Sequence, residues 1–205
     1  VSQKTKLQVY FTLNFIVALM AWFISWRALL FFSFYIFLIW FYSHKLKKIV
    51  FIGNLSAALL AVWPFFAILL YYYQPTSIEE LERHKDHFSV IIAHASFLFL
   101  LILIRELIKD LENLKGDLAN NYHTIPVFYG ENWSKRISTV LTILTLVPVY
   151  ILIELYDVGY MDIYFYSSLI VLLFFLLLLW QSNNKTHYIR LHNILKFLIV
   201  AGVFC

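Results

Sequence analysis

The chain has 205 residues, of which 62% are hydrophobic, 20% aromatic and 14% charged. Ordinary soluble domains carry about 25% charged residues, so the composition argues against a soluble protein and favours a membrane protein with aromatic residues at its interfaces. The net charge of +4 follows from how Lys and Arg are distributed around the membrane, which argues against nucleic-acid binding. The single cysteine, Cys205, excludes an intrachain disulfide.

Seven apolar segments follow one another along the chain, each near the ~20 residues that a helix needs to cross a bilayer. They cover approximately residues 7–25, 28–43, 50–73, 88–109, 136–155, 162–181 and 189–205. Helix is the expected state, because an open strand leaves its backbone without hydrogen bonds in lipid. The sequence predicts an all-α, polytopic transmembrane helix bundle that forms a single domain over residues 1–205. We expect it to be integral to the cell inner or plasma membrane, in contact with membrane lipids.

Positive residues are distributed unevenly around these spans. The amino end, the 43–49 loop, the 105–136 region and the 181–190 loop hold 12 of the 16 Lys and Arg residues, and the three alternating connections hold three. Cytoplasmic loops are enriched in Lys and Arg. We therefore expect the amino end and the 105–136 region to lie in the cytoplasm, and the carboxyl end on the opposite side.

The longest polar run, residues 105–130, follows the fourth span and reads RELIKDLENLKGDLANNYHTIPVFYG. At 100° per residue, one stripe of a helix carries Glu106, Asp110, Asn113 and Asp117. Asp110 and Asp117 are then ~10 Å apart along the helix axis, a spacing that suits Mg²⁺ ions around a diphosphate. The alternative is a solvated loop between two membrane helices, since charge clusters usually face solvent.

A second polar stretch, residues 42–54, reads YSHKLKKIVFIGN and is expected on the same membrane face. Its lysines either anchor the chain on anionic lipid or form a cationic wall for a diphosphate. Asn54, just inside the next span, is expected to bond a neighbouring helix or to contact the ligand. The seven histidines are scattered and form no zinc-type pattern.

Together these stretches resemble the UbiA-type intramembrane prenyltransferases, closest to members that use geranylgeranylglycerol phosphate. KDLENLKGD with the downstream TIPVFYG resembles the family's second Asp-rich motif and its Thr-X-Pro…Gly continuation. YSHKLKKIVFIGN resembles the family's Tyr/Lys loop. The order of the spans also matches, with both loops on the cytoplasmic side, so the resemblance covers essentially the whole chain.

The family has nine spans, and this chain resembles the third to the ninth. The family's first Asp-rich motif, of the Asn-Asp-X-X-Asp type, is not found in the 205 residues. Because half of the metal ligands belong to that motif, we expect this chain to be inactive on its own.

The resemblance implies Mg²⁺ as the cofactor and assigns three groups of site residues. The expected metal ligands are Asp110, Glu112, Asn113 and Asp117. The expected catalytic residues are Asp117, Asp110 and Lys47. The expected substrate-binding residues are Tyr42, Lys45, Asn54, Arg105 and Lys109. Two positions depart from the family pattern, because Asn113 stands where Asp is common and Leu46 stands where relatives often carry Lys.

The implied reaction transfers a prenyl group from an allylic prenyl diphosphate to an acceptor. The acceptor is expected to be a geranylgeranylglycerol-phosphate-like lipid, with an aromatic acid of quinone synthesis as the near alternative. A non-catalytic membrane homologue is a further alternative. A transporter is disfavoured, because transporters place ionisable residues near the bilayer midplane, whereas the charges here gather at one membrane face.

Overall fold

Helices make up nearly all of the chain that the structure, a computed structural model, describes: residues 2–72, 85–156 and 158–204. The helices are α1 Gln3–Ile24, α2 Trp26–His44, α3 Ile52–Tyr72, α4 Lys85–Ala119, α5 Ile125–Tyr129, α6 Glu131–Leu144, α7 Leu146–Tyr150, α8 Met161–Gln181 and α9 Lys185–Phe204. A 3₁₀ turn covers Leu46–Lys48 and a π-helical turn covers Ile151–Leu155. No strand occurs among these residues, so the prediction of an all-α helix bundle is confirmed.

Within the described residues, each predicted span falls on mainly helical structure. Within the described ranges, five helical stretches are long and apolar enough to cross a membrane: Gln3–Ile24, Trp26–Lys48, Phe88–Ala119, Glu131–Leu155 and Met161–Gln181. The third predicted span corresponds to α3, Ile52–Tyr72, in which the stretch Ile52–Ala67 is apolar. The last predicted span, α9, is not among the five, because its first half carries Lys, Arg and His residues. The predicted 74–87 connection lies almost entirely outside the described residues.

Local sequence signals explain where several of these helices begin and end. The Ser25 backbone is extended, with φ −170°, and its side chain accepts a hydrogen bond from the Ala28 backbone amide at 3.1 Å. Ser25 therefore caps α2 and separates it from α1 without a longer loop. Pro148 interrupts the run from α6 to the π-helical turn, since proline lacks the amide hydrogen that a continuous helix needs.

The core is centred on α4, which packs against α3, α6 and α9. Its fully buried side chains include Leu101, Ile104 and Ile108, which belong to one cluster with Phe165 and Phe175 of α8. By contrast, most apolar side chains of α1 and α2 are exposed, as expected of helices that face lipid. In lipid such a core is held by close packing more than by a hydrophobic driving force.

The length of α4 positions the polar residues at its carboxyl end. Its 35 residues extend roughly 52 Å, whereas the hydrocarbon core of a bilayer is only ~30 Å thick. The helix therefore continues beyond the predicted 88–109 span as one rigid rod. Its last turns carry the acidic stripe out of the apolar core.

Candidate active site

The polar end of α4 begins with a carboxylate that is held between two cations. Glu106 Oε1 accepts a hydrogen bond from Arg105 at 2.9 Å, and its Oε2 accepts one from Lys109 Nζ at 2.7 Å. Both contacts are ion pairs, and the residue Glu106 is 9% exposed. Burial of a carboxylate is costly unless it is paired, so this triad explains how Glu106 is accommodated next to the membrane core.

One turn further along α4, Asp110 is tied to α3. The side-chain amide of the buried Asn54 donates a hydrogen bond to Asp110 Oδ2 at 2.7 Å. This bond joins two helices whose residues are 56 positions apart in sequence. It fixes the orientation of the Asp110 carboxylate and leaves its other oxygen available to a ligand.

The segment between α2 and α3 brings a lysine to the same place. The backbone amide of Gly53 donates to Ile49 O at 3.0 Å, which folds the 3₁₀ turn back against the start of α3. A Cβ at Gly53 would lie 3.0 Å from the backbone oxygen of Lys47. Glycine therefore allows this close approach without a shift of the turn, and the approach positions Lys47.

The chain beyond α4 turns back toward the carboxylates. The Tyr122 backbone amide donates to Asp117 O at 2.9 Å, and the Asn120 side chain donates to Gly116 O at 2.8 Å. Asn121 adopts a positive φ of 54°, a conformation that asparagine tolerates better than most residues. This reversal returns residues 122–124 to the end of α4.

These elements enclose a cavity of about 180 Å³, here named the carboxylate cavity. Its polar lining consists of Tyr42, Lys47, Asn54, Glu106, Lys109, Asp110, Asn113, Asp117, Tyr122, His123 and Thr124. The cavity thus combines three carboxylates, two lysines and several neutral donors at one end of the helix bundle. Such a set can bind a polyanion together with hard cations.

The structure brings together seven of the ten site residues expected from the sequence. The seven are Tyr42, Lys47, Asn54, Lys109, Asp110, Asn113 and Asp117. Their roles remain predictions.

The other three predicted residues do not line this cavity. Glu112 was expected beside Asp110 as a metal ligand. Residues two positions apart on a helix point ~200° away from each other. Glu112 Oε2 instead lies 2.8 Å from His192 Nδ1. Lys45 caps the end of α2 and is exposed. Arg105 contacts the site only through Glu106.

Four of the lining side chains were not predicted as site residues. Glu106 was placed in the helical stripe of Asp110, Asn113 and Asp117 but was given no role at the site. Tyr122, His123 and Thr124 reach the cavity because the chain reverses after α4. The Asn120–Asn121 pair indicates that the helix ends there, but the direction of the chain after it depends on backbone geometry.

A hard cation in the carboxylate cavity would need oxygen donors from several side chains. Within the described ranges, no group of three or more His, Cys, Asp or Glu residues is arranged to hold a metal. The cavity does offer the carboxylate oxygens of Asp110 and Asp117 and the amide oxygen of Asn113. Mg²⁺ in phosphate-binding sites commonly takes one or two carboxylates and completes its shell with phosphate oxygens and water. The residues therefore fit Mg²⁺ in company with a phosphorylated substrate.

The sequence is similar to proteins of one known family over nearly its whole length. The sequence profile of the UbiA prenyltransferase family matches residues 1–198. Among individual relatives, a digeranylgeranylglyceryl phosphate synthase of Methanosphaera stadtmanae is 31% identical over 126 residues, which is 60% of this chain and 41% of the relative. The synthase of the same name from Pyrococcus furiosus is 28% identical over 71% of this chain and 48% of the relative.

A third digeranylgeranylglyceryl phosphate synthase, from Saccharolobus solfataricus, is 33% identical over 52% of this chain and 34% of its own length. In all three comparisons the chain spans less than half of the relative's length. No solved structure matches the chain significantly.

Proposed function

The chain belongs to the UbiA prenyltransferase family, and from this premise we propose that it is part of an intramembrane prenyltransferase. The proposed donor is an allylic prenyl diphosphate, and the proposed acceptor is a lipid like geranylgeranylglycerol phosphate. The observation that carries the proposal is the carboxylate cavity, where Lys47, Asp110 and Asp117 meet at the end of a membrane helix.

The reaction requires that the bond between the allylic carbon and the diphosphate oxygen breaks. Diphosphate leaves with the electron pair of that bond. An acceptor hydroxyl oxygen bonds the carbon, and its proton passes to the released diphosphate or to water. Lys47 and Lys109 are the lysines that line the cavity. We propose that they stabilise the negative charge that develops on the leaving diphosphate. Glu106 already pairs with Lys109, which orients this lysine before the substrate arrives.

Mg²⁺ is the proposed cofactor, held by Asp110 and Asp117 with Asn113 as a neutral oxygen donor. When bound, it neutralises diphosphate and makes it a better leaving group. The hydrogen bond from Asn54 to Asp110 Oδ2 supports this assignment, since it orients the carboxylate without supplying a competing positive charge. Glu112 is left out of the proposed metal ligands, and Lys45 is left out of the proposed substrate-binding residues, because neither lines the carboxylate cavity.

The acceptor is proposed from the relatives. All three relatives described above carry the name digeranylgeranylglyceryl phosphate synthase. A lipid acceptor also agrees with a site at the end of a membrane helix, because its hydrocarbon chain can stay among the apolar spans. The protein is integral to the membrane, and we propose that the carboxylate cavity faces the cytoplasm.

The experiment that tests this proposal is a transfer assay with the full-length gene product in lipid vesicles. Geranylgeranyl diphosphate is the donor, and geranylgeranylglyceryl phosphate or 4-hydroxybenzoate is the acceptor. We expect transfer to the glycerol lipid, loss of transfer in EDTA and recovery with added Mg²⁺. Preferred transfer to the aromatic acid would overturn the acceptor assignment, and transfer that persists in EDTA would overturn the cofactor assignment.

A further inference from the structure

A second cavity, of about 360 Å³, lies between the end of α4 and the starts of α6 and α9. Its charged lining residues are Glu112, Lys115, Glu131 and Lys185. Asn113 is the only described residue that lines both cavities. Because Glu112 points ~200° around α4 from Asp110, helix α4 separates this second cavity from the proposed reaction site.

The walls of the second cavity are held by buried polar contacts. Tyr188 donates its hydroxyl hydrogen to Glu131 Oε2 at 2.9 Å. Lys135 is only 4% exposed, and its ammonium donates to the Ser182 carbonyl and to Asn183 Oδ1. A buried ammonium is costly unless its hydrogens are bonded. These contacts therefore fix the turn between α8 and α9 against the start of α6 and keep the cavity open.

The charges of the second cavity are only partly neutralised by the protein. Glu112 Oε2 is bonded to His192, and Glu131 Oε2 is bonded to Tyr188. In the described part of the chain, the other oxygen of each carboxylate has no hydrogen-bond partner, and neither Lys115 nor Lys185 forms an ion pair. A purely anionic ligand would be repelled by the two carboxylates, and a purely cationic one by the two lysines. A ligand that carries both charges satisfies all four groups.

The depth of the second cavity indicates where such a ligand comes from. Glu112 and Lys115 lie ~5–9 Å beyond residue 109, the expected end of the apolar span. The polar headgroup layer of a bilayer is roughly 5–8 Å thick on each side of the hydrocarbon core. With the span boundary predicted from the sequence, the second cavity is therefore expected at the level of the phospholipid headgroups.

We infer that the second cavity binds the zwitterionic headgroup of a phospholipid that carries a phosphate and a primary ammonium. Lys115 and Lys185 bind the phosphate, and the free oxygens of Glu112 and Glu131 accept hydrogen bonds from the ammonium. Charge-assisted hydrogen bonds of this kind are the stronger ones in proteins. The bound lipid is distinct from the reacting acceptor, and the inference does not depend on the proposed reaction.

The test compares phospholipids of identical acyl chains. The purified full-length protein is mixed with phosphatidylethanolamine, phosphatidylcholine or phosphatidylglycerol, and retained lipid is measured by native mass spectrometry. We expect phosphatidylethanolamine to be retained at least about tenfold more tightly, because phosphatidylcholine has no ammonium hydrogens and phosphatidylglycerol has no cation. Equal retention of the three lipids would overturn the inference.

Variants that remove single charges test whether the lipid binds in the second cavity. Glu131→Gln keeps a hydrogen-bond acceptor for Tyr188 but removes the negative charge, so retention should shift from phosphatidylethanolamine toward phosphatidylglycerol. Lys185→Gln should weaken the retention of both lipids about tenfold. Lys4→Gln, an exposed lysine of α1 on the same predicted membrane face, is the matched control and should change neither. An unchanged lipid preference in Glu131→Gln would contradict the assignment.

The alternative ligand for the second cavity is a soluble phosphate ion and not a phospholipid headgroup. If inorganic phosphate raises the melting temperature of the lipid-free protein as much as phosphatidylethanolamine does, the second cavity is an anion site and the inference is wrong. Phosphoethanolamine should compete with the lipid where inorganic phosphate does not. None of these measurements uses catalysis, so their failure would leave the prenyltransferase proposal untouched.

Discussion

Asp117 occupies the last turn of α4 and lines the carboxylate cavity about two helical turns beyond Asp110. Asp117→Asn keeps the shape of the side chain but removes the charge that we assign to cation binding. We expect prenyl transfer by the full-length gene product to fall by at least about 100-fold. Helix content, measured by circular dichroism, should be unchanged.

The control for this variant is Lys85→Ala, at the other end of α4, which the predicted topology places on the opposite membrane face. It should retain nearly full activity. Full activity in Asp117→Asn would contradict the metal assignment, and a large loss in Lys85→Ala would contradict the predicted topology.

Two neighbouring lysines provide a matched pair, since Lys47 lines the carboxylate cavity and Lys45 does not. Lys47→Gln should lower kcat/KM about 10- to 100-fold, because it removes a positive charge that we assign to the leaving diphosphate. Lys45→Gln should have an effect of less than about threefold. Both are measured by initial transfer rates at several diphosphate concentrations, and a larger loss in Lys45→Gln would reverse the assignment.

At the residue scale, helical periodicity predicted one face of the site and tertiary packing decided the rest. The stripe that holds Asp110 and Asp117 follows from 100° per residue. The hydrogen bond between Asn54 and Asp110 does not, because it depends on how α3 packs against α4. Glu112 was included with Asp110 because the two are close in sequence, although neighbours two apart on a helix face different directions.

The element that positions Lys47 is the short segment between α2 and α3. Gly53→Ala adds a Cβ 3.0 Å from the backbone oxygen of Lys47, so the 3₁₀ turn must move by a few tenths of an ångström. We expect transfer activity to drop about tenfold or more, since small misplacements of a positioned group are costly. The rate of prenyl transfer and the melting temperature should both be measured.

A second glycine offers the control for this prediction. A Cβ at Gly116 of α4 meets nothing within 4 Å, and alanine is favoured over glycine inside a helix by roughly 1 kcal/mol. Gly116→Ala should therefore keep activity and match or raise the melting temperature. Equal loss of activity in both variants would show that steric contact at Gly53 is not the cause.

At the scale of the elements, the seven hydropathic segments predicted the helix positions, because lipid leaves few alternatives to helix. Their ends were harder to predict. The fourth apolar segment ends near residue 109, but α4 continues to Ala119, as the predicted helical stripe from Glu106 to Asp117 requires. Polar residues end an apolar segment but do not end a helix. The chain beyond residue 109 keeps good helix formers such as Leu, Glu and Lys. Similarly, the short α5 depends on a proline at its start and was not predicted.

For the whole molecule, the alternation of positive regions predicts that successive connections lie on opposite sides of the membrane. The stretch Glu131–Leu155 is a suitable place to test this topology, because it connects two of these regions. Its 25 residues extend roughly 37 Å if helical throughout, enough to cross the ~30 Å hydrocarbon core. Its two ends should therefore be accessible from different compartments.

Cys205 is the only cysteine of the 205 residues. A background in which it and any cysteine elsewhere in the gene product are changed to Ser allows single cysteines to be introduced and labelled. Asn132→Cys and Tyr160→Cys are suitable positions, since both side chains are exposed and lie beside opposite ends of this stretch. A membrane-impermeant maleimide added to intact cells should label Tyr160→Cys, and should label Asn132→Cys only after the membrane is opened. Labelling of Asn132→Cys in intact cells would place the carboxylate cavity on the outer face. The prenyl diphosphate would then have to reach the enzyme from outside the cytoplasm, which the positive residues around the cavity argue against.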